Sequence, residues 1–283
     1  MSKRRYLIVS AVVLVILLSG CVGPLASDDP NSSENGGEDE DDRDTLGDSV
    51  DYPWGWDAYG PSDGVLGDEN PLLSEHSVTY TLERDIYVAD TLHGDFELED
   101  STEQIHKVSS LMEKWHIIMN HNDEINRTLY LSSGVEYLQI QTIDSEGEVM
   151  SEGYNQEYSV DFDAKTAYQI NGMESLVETA DYVATDVVER DGAEFIRYVA
   201  DDVEYVRPNN PVYAISPDPD VGEIFEFHAE YLVDKDSGII TDVMVEVKGS
   251  YGEDRYFYME LSLGYSDLSA TDVEEPAWVD EEF

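Results

Sequence analysis

The sequence has a single cysteine, Cys21, and few positive charges. One cysteine excludes a disulfide bond within the chain. The 283 residues include 15 lysines and arginines against 64 aspartates and glutamates, a formal charge of −49. Because binding through phosphate neutralisation needs clustered cations, this balance excludes nucleic acid as a partner. It also argues against unaided adsorption to an anionic lipid surface.

Signatures of catalysis and metal binding are also scarce. The chain has no phosphate-binding loop and no His-Glu-x-x-His zinc motif. His116 and His121 are five residues apart, so on a strand they would face opposite sides and could not easily share a metal ion. Asp234 to Gly238 begins like a calcium loop but has glycine where the template needs Asp or Asn, which favours a plain turn. We therefore expect no enzymatic activity, no cofactor and no metal site.

The N-terminus has the order of an export signal. Lys3, Arg4 and Arg5 precede an apolar run, Tyr6 to Leu18, and the small residues Ser19 and Gly20 follow. The run is shorter than the ~20 residues with which a helix crosses ~30 Å of hydrocarbon. A cleaved signal over residues 1–20 is therefore favoured over an uncleaved membrane helix. General and twin-arginine export both remain open.

The string Leu18-Ser19-Gly20-Cys21 resembles the lipobox of bacterial and archaeal lipoproteins. The resemblance implies that Cys21 is lipidated and becomes the mature N-terminus, on the extracytoplasmic face of the cell membrane. Burial of lipid chains contributes ~0.8 kcal/mol per CH₂, and two chains suffice for stable anchoring. On this interpretation the membrane is a partner through the lipid and not through the acidic protein surface.

Residues 21–70 are predicted to form an acidic, disordered tether, since residues 28–48 are rich in acids, glycine, serine and asparagine. Asn31 and Asn126 begin possible N-glycosylation sequons. The segment Tyr52–Trp56 carries two tryptophans. We favour docking of these side chains on the folded domain over binding to a partner.

The acidic excess extends beyond the tether into the rest of the chain, and lysine is scarce. This composition resembles that of proteins from salt-loving archaea, in which molar salt screens self-repulsion at a Debye length of ~3 Å. An ordinary acidic extracellular protein is the alternative.

From about Pro71 to the end, residues 71–283, alternating apolar and polar residues predict one mainly β domain. Predicted strands include residues 78–88, 128–131, 135–143, 182–189, 194–200, 225–233, 243–248 and 256–265. Asp191-Gly192 is typical of a two-residue hairpin turn. Asn171 with Glu174 indicates the start of a short helix. Ile105 to Met119 fits helical spacing, although Trp115 to Met119 also fits a buried strand.

The order of a long antiparallel meander, a short helix and three closing strands resembles the LolA/LppX-like superfamily of lipoprotein carriers and lipid-binding lipoproteins, particularly its haloarchaeal members. The resemblance lies in the hairpin Tyr182 to Ala200, the strand Phe225 to Asp234, the turn Lys235 to Gly238, and the strands Val243 to Lys248 and Tyr256 to Tyr265. It implies an antiparallel half-open β-barrel wrapped over one or two short helices, with an apolar concave face that takes acyl chains.

We therefore expect a non-enzymatic lipoprotein that binds or carries a lipid or another apolar ligand on this face. The candidate ligand-binding residues are Phe225, Phe227, Tyr231, Val243, Val245, Phe257, Met259 and Leu261. Such a stripe also suits an ordinary dry core. The alternative is therefore a structural or interaction lipoprotein of the envelope, with a filled core and no ligand.

Overall fold

The computed structural model describes residues 43–61, 77–109, 114–132, 134–143, 147–157, 177, 180–207, 221–251, 255–267 and 269–282. Within these ranges a short hairpin pairs β1 (Trp56–Asp57) with β2 (Gly60–Pro61). The longer strands are β3 (Val78–Ala89), β4 (Glu97–Val108), β5 (Lys114–His121), β6 (Ile125–Ser132), β7 (Val135–Ile143), β8 (Val149–Glu157), β9 (Val183–Arg190), β10 (Ala193–Ala200), β11 (Val221–Asp234), β12 (Ile240–Tyr251) and β13 (Arg255–Ser266).

These eleven longer strands form one antiparallel sheet in the order β8-β7-β6-β5-β4-β3-β13-β12-β11-β10-β9. Two meanders therefore meet where β13 pairs with β3. The outermost strands, β8 and β9, do not pair with each other, so the sheet is open and fits a half-barrel. Helix within the described ranges is limited to Val177, two single turns at Gly47–Ser49 and Val203–Tyr205, and α1 (Ala277–Glu282).

The predicted mainly β class and the closing meander are confirmed. The hairpin between β9 and β10 turns at Asp191 and Gly192, which have φ angles of 52° and 85°. Both residues thus lie in the left-handed region that this turn requires. At the turn after β11, the Asp234 carboxylate accepts hydrogen bonds from the backbone N–H and the hydroxyl of Ser237, at 2.7 and 2.6 Å. This is the predicted plain turn.

The segment from Ile105 to Met119 is β structure wherever it is described. Trp115, Ile117 and Met119 in β5 pair with Val108, His106 and Gln104 in β4. Of the two structures that the sequence left open for this segment, the buried strand is the one observed, since neighbouring strands on both sides supply hydrogen bonds for β5.

Phe225 does not share a face with Phe227, which corrects the predicted alternation. The pairing of β11 with β12 shifts between Ile224 and Glu226, so Phe225 occupies a β-bulge. Its ring lies 6.1 Å from that of Tyr256, which is on the opposite side of β13 from buried Phe257. Phe225 is half-buried there, and Ile224 packs against the core in its place.

Residues 43–61 of the predicted tether are packed on the sheet, and we call them the N-terminal plug. The backbone N–H of Leu46 donates to the Ala184 carbonyl at 2.9 Å, and the Ala184 N–H donates to the Ala58 carbonyl at 2.8 Å. The plug thus uses backbone groups of edge strand β9. Trp56 is buried, whereas Trp54 is 85% exposed, so the predicted docking holds for one tryptophan of the pair.

Several predictions lie outside the described residues. They are the signal over residues 1–20, Cys21, Asn31 and the helix start at Asn171. Val177, at the end of the helix predicted from Asn171, is helical and buried.

Candidate functional site

The inner face of the sheet is the side that carries the main hydrophobic core. Because residues paired across neighbouring strands point to the same side, the pairing traces one row of side chains across all eleven strands. From β9 to β8 the row reads Ala184, Tyr198, Tyr231, Val243, Leu263, Leu82, Gln104, Met119, Arg127, Ile140 and Glu152. It begins at Ala184 and Tyr198, both fully buried, and ends at exposed Glu152. One face is therefore closed at one end and open at the other.

The closed end contains seven of the eight predicted ligand-binding residues. All are at most 4% exposed, and they are Phe227, Tyr231, Val243, Val245, Phe257, Met259 and Leu261. The plug residue Trp56 belongs to the same core cluster, with its ring 5.4 Å from that of Tyr198 and 6.0 Å from that of Tyr231. These seven side chains are therefore packed as a core, and the plug contributes to that packing beside Tyr231.

The middle of the inner face contains polar groups beside a second buried apolar cluster, which includes Val78, Trp115 and Ile117. Arg84 interrupts the apolar alternation of β3 and donates a 2.7 Å hydrogen bond to the Asp100 carboxylate, which also lies 3.4 Å from Nε2 of His121. The guanidinium is thus neutralised within the sheet. The Thr102 hydroxyl lies 3.4 Å from Nη2 of Arg84 and 3.3 Å from Nδ1 of His121, so it is within hydrogen-bond distance of both side chains.

A second polar chain links Tyr80, His106 and Gln104. The Tyr80 hydroxyl is 2.5 Å from Nδ1 of His106, and Nε2 of His106 is 2.9 Å from Oε1, the side-chain amide oxygen of Gln104. Because that oxygen only accepts, Nε2 carries the proton and Nδ1 accepts from Tyr80. Burial lowers the pKa of His106 to about 3, so the imidazole is neutral near pH 7.

The open end of the inner face lies on β6, β7 and β8. We call it the inner patch, and it consists of Ile125, Arg127, Leu138, Ile140, Met150 and Tyr154. The first four side chains are half-buried, whereas Met150 and Tyr154 are 61% and 43% exposed. The pairing places Met150 in line with Ile125 through Thr142, and Tyr154 in line with Leu138. The patch is therefore a mainly apolar surface on the side where the rest of the sheet is packed.

Arg127 is the cation of the inner patch. Its pairing neighbours are Met119 on β5 and Ile140 on β7, both apolar. Burial lowers the pKa of its guanidinium. Nε of Arg127 is buried without a hydrogen-bond partner, and the described carboxylates form no ion pair with this side chain.

The predicted opposite orientation of His116 and His121 is confirmed. His121 faces inward beside Thr102, while His116 faces outward with its ring 6.4 Å from that of Tyr130. Burial, together with the charge of Lys107, lowers the pKa of His116. Among the residues that the structure describes, no three His, Cys, Asp or Glu side chains form a group able to hold a metal ion.

Two other features are candidates for a functional site: a depression on the outer face and a Gly-x-Ser-x-Gly string. A depression of about 320 Å³ on the outer face is lined by acids that include Glu83, Glu230 and Asp242, with Arg190 3.4 Å from the Asp242 carboxylate. The string Gly60-Pro61-Ser62-Asp63-Gly64 spells a nucleophile motif, which requires a strand, a sharp turn and a helix. Gly60 and Pro61 instead form a two-residue hairpin strand, and Ser62 lies outside the described residues.

Asn126, the second predicted glycosylation site, lies in β6 and is half-buried between Asn120 and Gln141.

None of the helices in the described ranges has the length and apolarity to cross a membrane.

None of the six inner-patch residues was predicted as a site from the sequence: Ile125, Arg127, Leu138, Ile140, Met150 and Tyr154. The available signal was the arginine between Ile125 and Leu129, where an alternating strand places an inward residue. A charged side chain at such a position is uncommon in a core.

The chain belongs to a family of unknown function (DUF7537), whose model matches residues 5–282. A comparison with curated proteins found no match. Among solved structures, a DUF1329 family protein from Desulfovibrio piger shares 10% identity, covers 71% of this chain and 88% of its own, and has a TM-score of 0.22. A β-barrel-like protein of the DUF1849 domain from Brucella abortus shares 10% identity over 71% of this chain and 99% of its own, with a TM-score of 0.21. At these scores neither likeness bears on function.

Proposed function

We propose that this protein is a membrane-anchored extracytoplasmic lipoprotein that binds a lipid or another apolar ligand on the inner patch, without catalysis. The anchor rests on the leader and the lipobox-like string before Cys21. The resemblance to LolA/LppX-like lipoproteins, with a half-barrel over short helices, supports the ligand class.

The observation that carries the ligand proposal is the uneven covering of one face. An apolar sheet face is stable when a second layer covers it. The N-terminal plug covers the end at β9 to β13, whereas Met150 and Tyr154 at the other end keep 61% and 43% of their surface exposed. An apolar ligand on the inner patch would remove that surface from water at about 25 cal/mol per Å².

Adjacent residues of β8 provide a matched pair for the test. Met150 faces the inner patch, while Val149 is 59% exposed on the other side of the same strand. The probe is cis-parinaric acid, a fluorescent fatty acid, titrated into the full chain. We expect Met150→Gln to weaken binding by about threefold to tenfold, because part of a methionine burial energy is lost, and Val149→Gln to leave it unchanged.

Equal effects of the two substitutions, or no saturable binding to the unsubstituted protein, would refute binding on the inner patch. Extraction of the protein purified from its native membrane, followed by mass spectrometry, provides an independent measurement, in which we expect a stoichiometric apolar molecule.

A second candidate function is favoured by Trp54. This side chain is 85% exposed only two residues from buried Trp56, and seven of the eight predicted ligand-binding residues are packed as a core. The alternative is an envelope lipoprotein that uses the plug surface to bind protein partners. Crosslinking in intact cells would then give adducts that disappear with Trp54→Ala and persist with Met150→Gln.

A further inference from the structure

Arg127 differs in its surroundings from Arg84, another arginine that the strand pairing places on the inner face. Both residues occupy positions where the alternation calls for an apolar side chain. Arg84 has the Asp100 carboxylate at 2.7 Å, whereas Arg127 lies between Met119 and Ile140. The acid nearest along its row is Glu152, one strand beyond Ile140, and that carboxylate accepts a 2.6 Å hydrogen bond from Tyr154.

This lack of a carboxylate partner is unusual in a chain with 64 acids. Seven of the described lysines and arginines form ion pairs with carboxylates that the structure also describes: Arg84, Arg190, Arg197, Arg207, Lys235, Lys248 and Arg255. Arg43 donates a 2.6 Å hydrogen bond to the Asp181 carbonyl and lies over the Tyr205 ring. Lys107 and Lys114 have no such ion pair, but both are exposed to water. Arg127 is half-buried, so it bears a desolvation cost without a compensating charge in the described part of the chain.

We propose that Arg127 binds the acidic head group of the ligand, so that the inner patch selects amphiphiles with a carboxylate or phosphate head over neutral ones. This inference rests on the proposed function. A guanidinium matches both head groups, because its planar N–H donors form paired hydrogen bonds with two oxygens.

The surroundings of Arg127 position the rest of such a ligand. Ile125, Leu138 and Ile140 flank the guanidinium with half-buried apolar surface, and Met150 and Tyr154 extend it toward the open edge of the sheet. An acyl chain fits this surface while its head remains at Arg127. The negative charge of the whole chain acts over a longer distance, and solution ions screen it beyond ~8 Å at physiological salt.

The test separates head from chain with three probes that displace cis-parinaric acid from the full chain: palmitate, hexadecyl phosphate and hexadecanol. Inorganic phosphate is included to distinguish a free anion from a lipid head. We expect both acidic amphiphiles to bind about tenfold or more tightly than hexadecanol, and inorganic phosphate to displace nothing at millimolar concentration.

The variant Arg127→Met removes the charge and keeps the apolar stem, and it should reduce the affinity for the acidic probes to that for hexadecanol. Arg127→Lys should retain a preference for the acidic probes, because it keeps the charge. Arg190→Gln is the matched control, since this arginine is near Asp242 and lines the outer-face depression. Circular dichroism and thermal melting confirm that each variant is folded.

Three results would overturn the inference. Equal binding of palmitate and hexadecanol, unaffected by Arg127→Met, leaves the proposed apolar site intact and removes the head-group role. Equal weakening of all three probes by Arg127→Met, with Arg127→Lys no better, assigns the arginine a structural role. Displacement by inorganic phosphate alone makes the site a free-anion site. No binding of any amphiphile to the unsubstituted protein instead refutes the proposed function itself.

Discussion

Replacement of Trp56 by alanine tests whether the N-terminal plug is part of the folded core. Trp56 is 6% exposed, and its ring lies 5.4 and 6.0 Å from the rings of Tyr198 and Tyr231. It also lies close to Gly238, where an added Cβ would be 3.3 Å from the indole nitrogen. The indole therefore fills a defined space between the plug, the inner face and the turn after β11.

The expected loss follows from burial and cavity formation. Removing a buried tryptophan side chain costs about 3–5 kcal/mol, because both the transfer energy and the surrounding contacts are lost. For a protein of this size, 1 kcal/mol corresponds to a shift of about 2–4 °C in the midpoint of melting, so we expect a decrease of about 6–20 °C.

The matched control is Trp54→Ala, since Trp54 is 85% exposed in the same segment. Its free energy of unfolding should change by no more than about 0.5 kcal/mol. Urea denaturation followed by far-ultraviolet circular dichroism measures both variants without reliance on tryptophan fluorescence. A loss below about 1 kcal/mol for Trp56→Ala, or equal losses for the two variants, would contradict a plug that stabilises the inner face.

Three further predictions concern stability. Tyr198→Phe should lower the free energy of unfolding in urea by about 1 kcal/mol, because the Tyr198 hydroxyl donates a 2.7 Å hydrogen bond to the Asp57 carbonyl. Tyr231→Phe should be neutral or stabilising, because the buried Tyr231 hydroxyl lacks a partner among described groups. The reverse order of the two variants would refute this assignment. Burial lowers the pKa of His106 in the folded protein, so its contribution to the free energy of unfolding is full above pH ~6.5 and decreases as the pH falls toward 3. The loss is about 2 kcal/mol at pH 5. His106→Gln should remove this part of the pH dependence of the free energy of unfolding, and an unchanged pH dependence would contradict the neutral buried imidazole. Lowering salt from ~1 M to ~0.1 M should lower the melting temperature, because repulsion among the acids is less screened, and an unchanged melting temperature would count against adaptation to high salt.

The strands could be predicted from the sequence where one face is buried along a whole strand. In β12 and β13, Val243, Val245, Phe257 and Met259 alternate with polar or half-buried residues, and the structure buries all four on the inner face. The turn at Asp191-Gly192 was equally readable, because these residue types favour positive φ angles.

Features that depend on pairing between distant strands could not be predicted. Phe225 fits the alternation as well as Phe227 does, and the bulge that turns it outward is set by its pairing with β12. Trp115 and Met119 fit two periodicities, which the hydrogen bonds of β4 and β6 resolve in favour of a strand.

The location of the open surface was also hidden in the sequence. Apolar alternation is strongest at the closed end, so it directed the predicted ligand site to Tyr231, Val243 and Met259, which lie in a packed core. Met150 and Arg127 acquire meaning only when the pairing places them on the same face as that core.

The central claim is tested most directly by a photoactivatable fatty acid, palmitate with a diazirine in its chain, crosslinked to the full chain and mapped by mass spectrometry. Binding on the inner patch predicts labelled residues on β6 to β8, within 125–140 and 149–154, and competition by unlabelled palmitate. Labels confined to residues 227–261, or labels that unlabelled palmitate does not reduce, would contradict it.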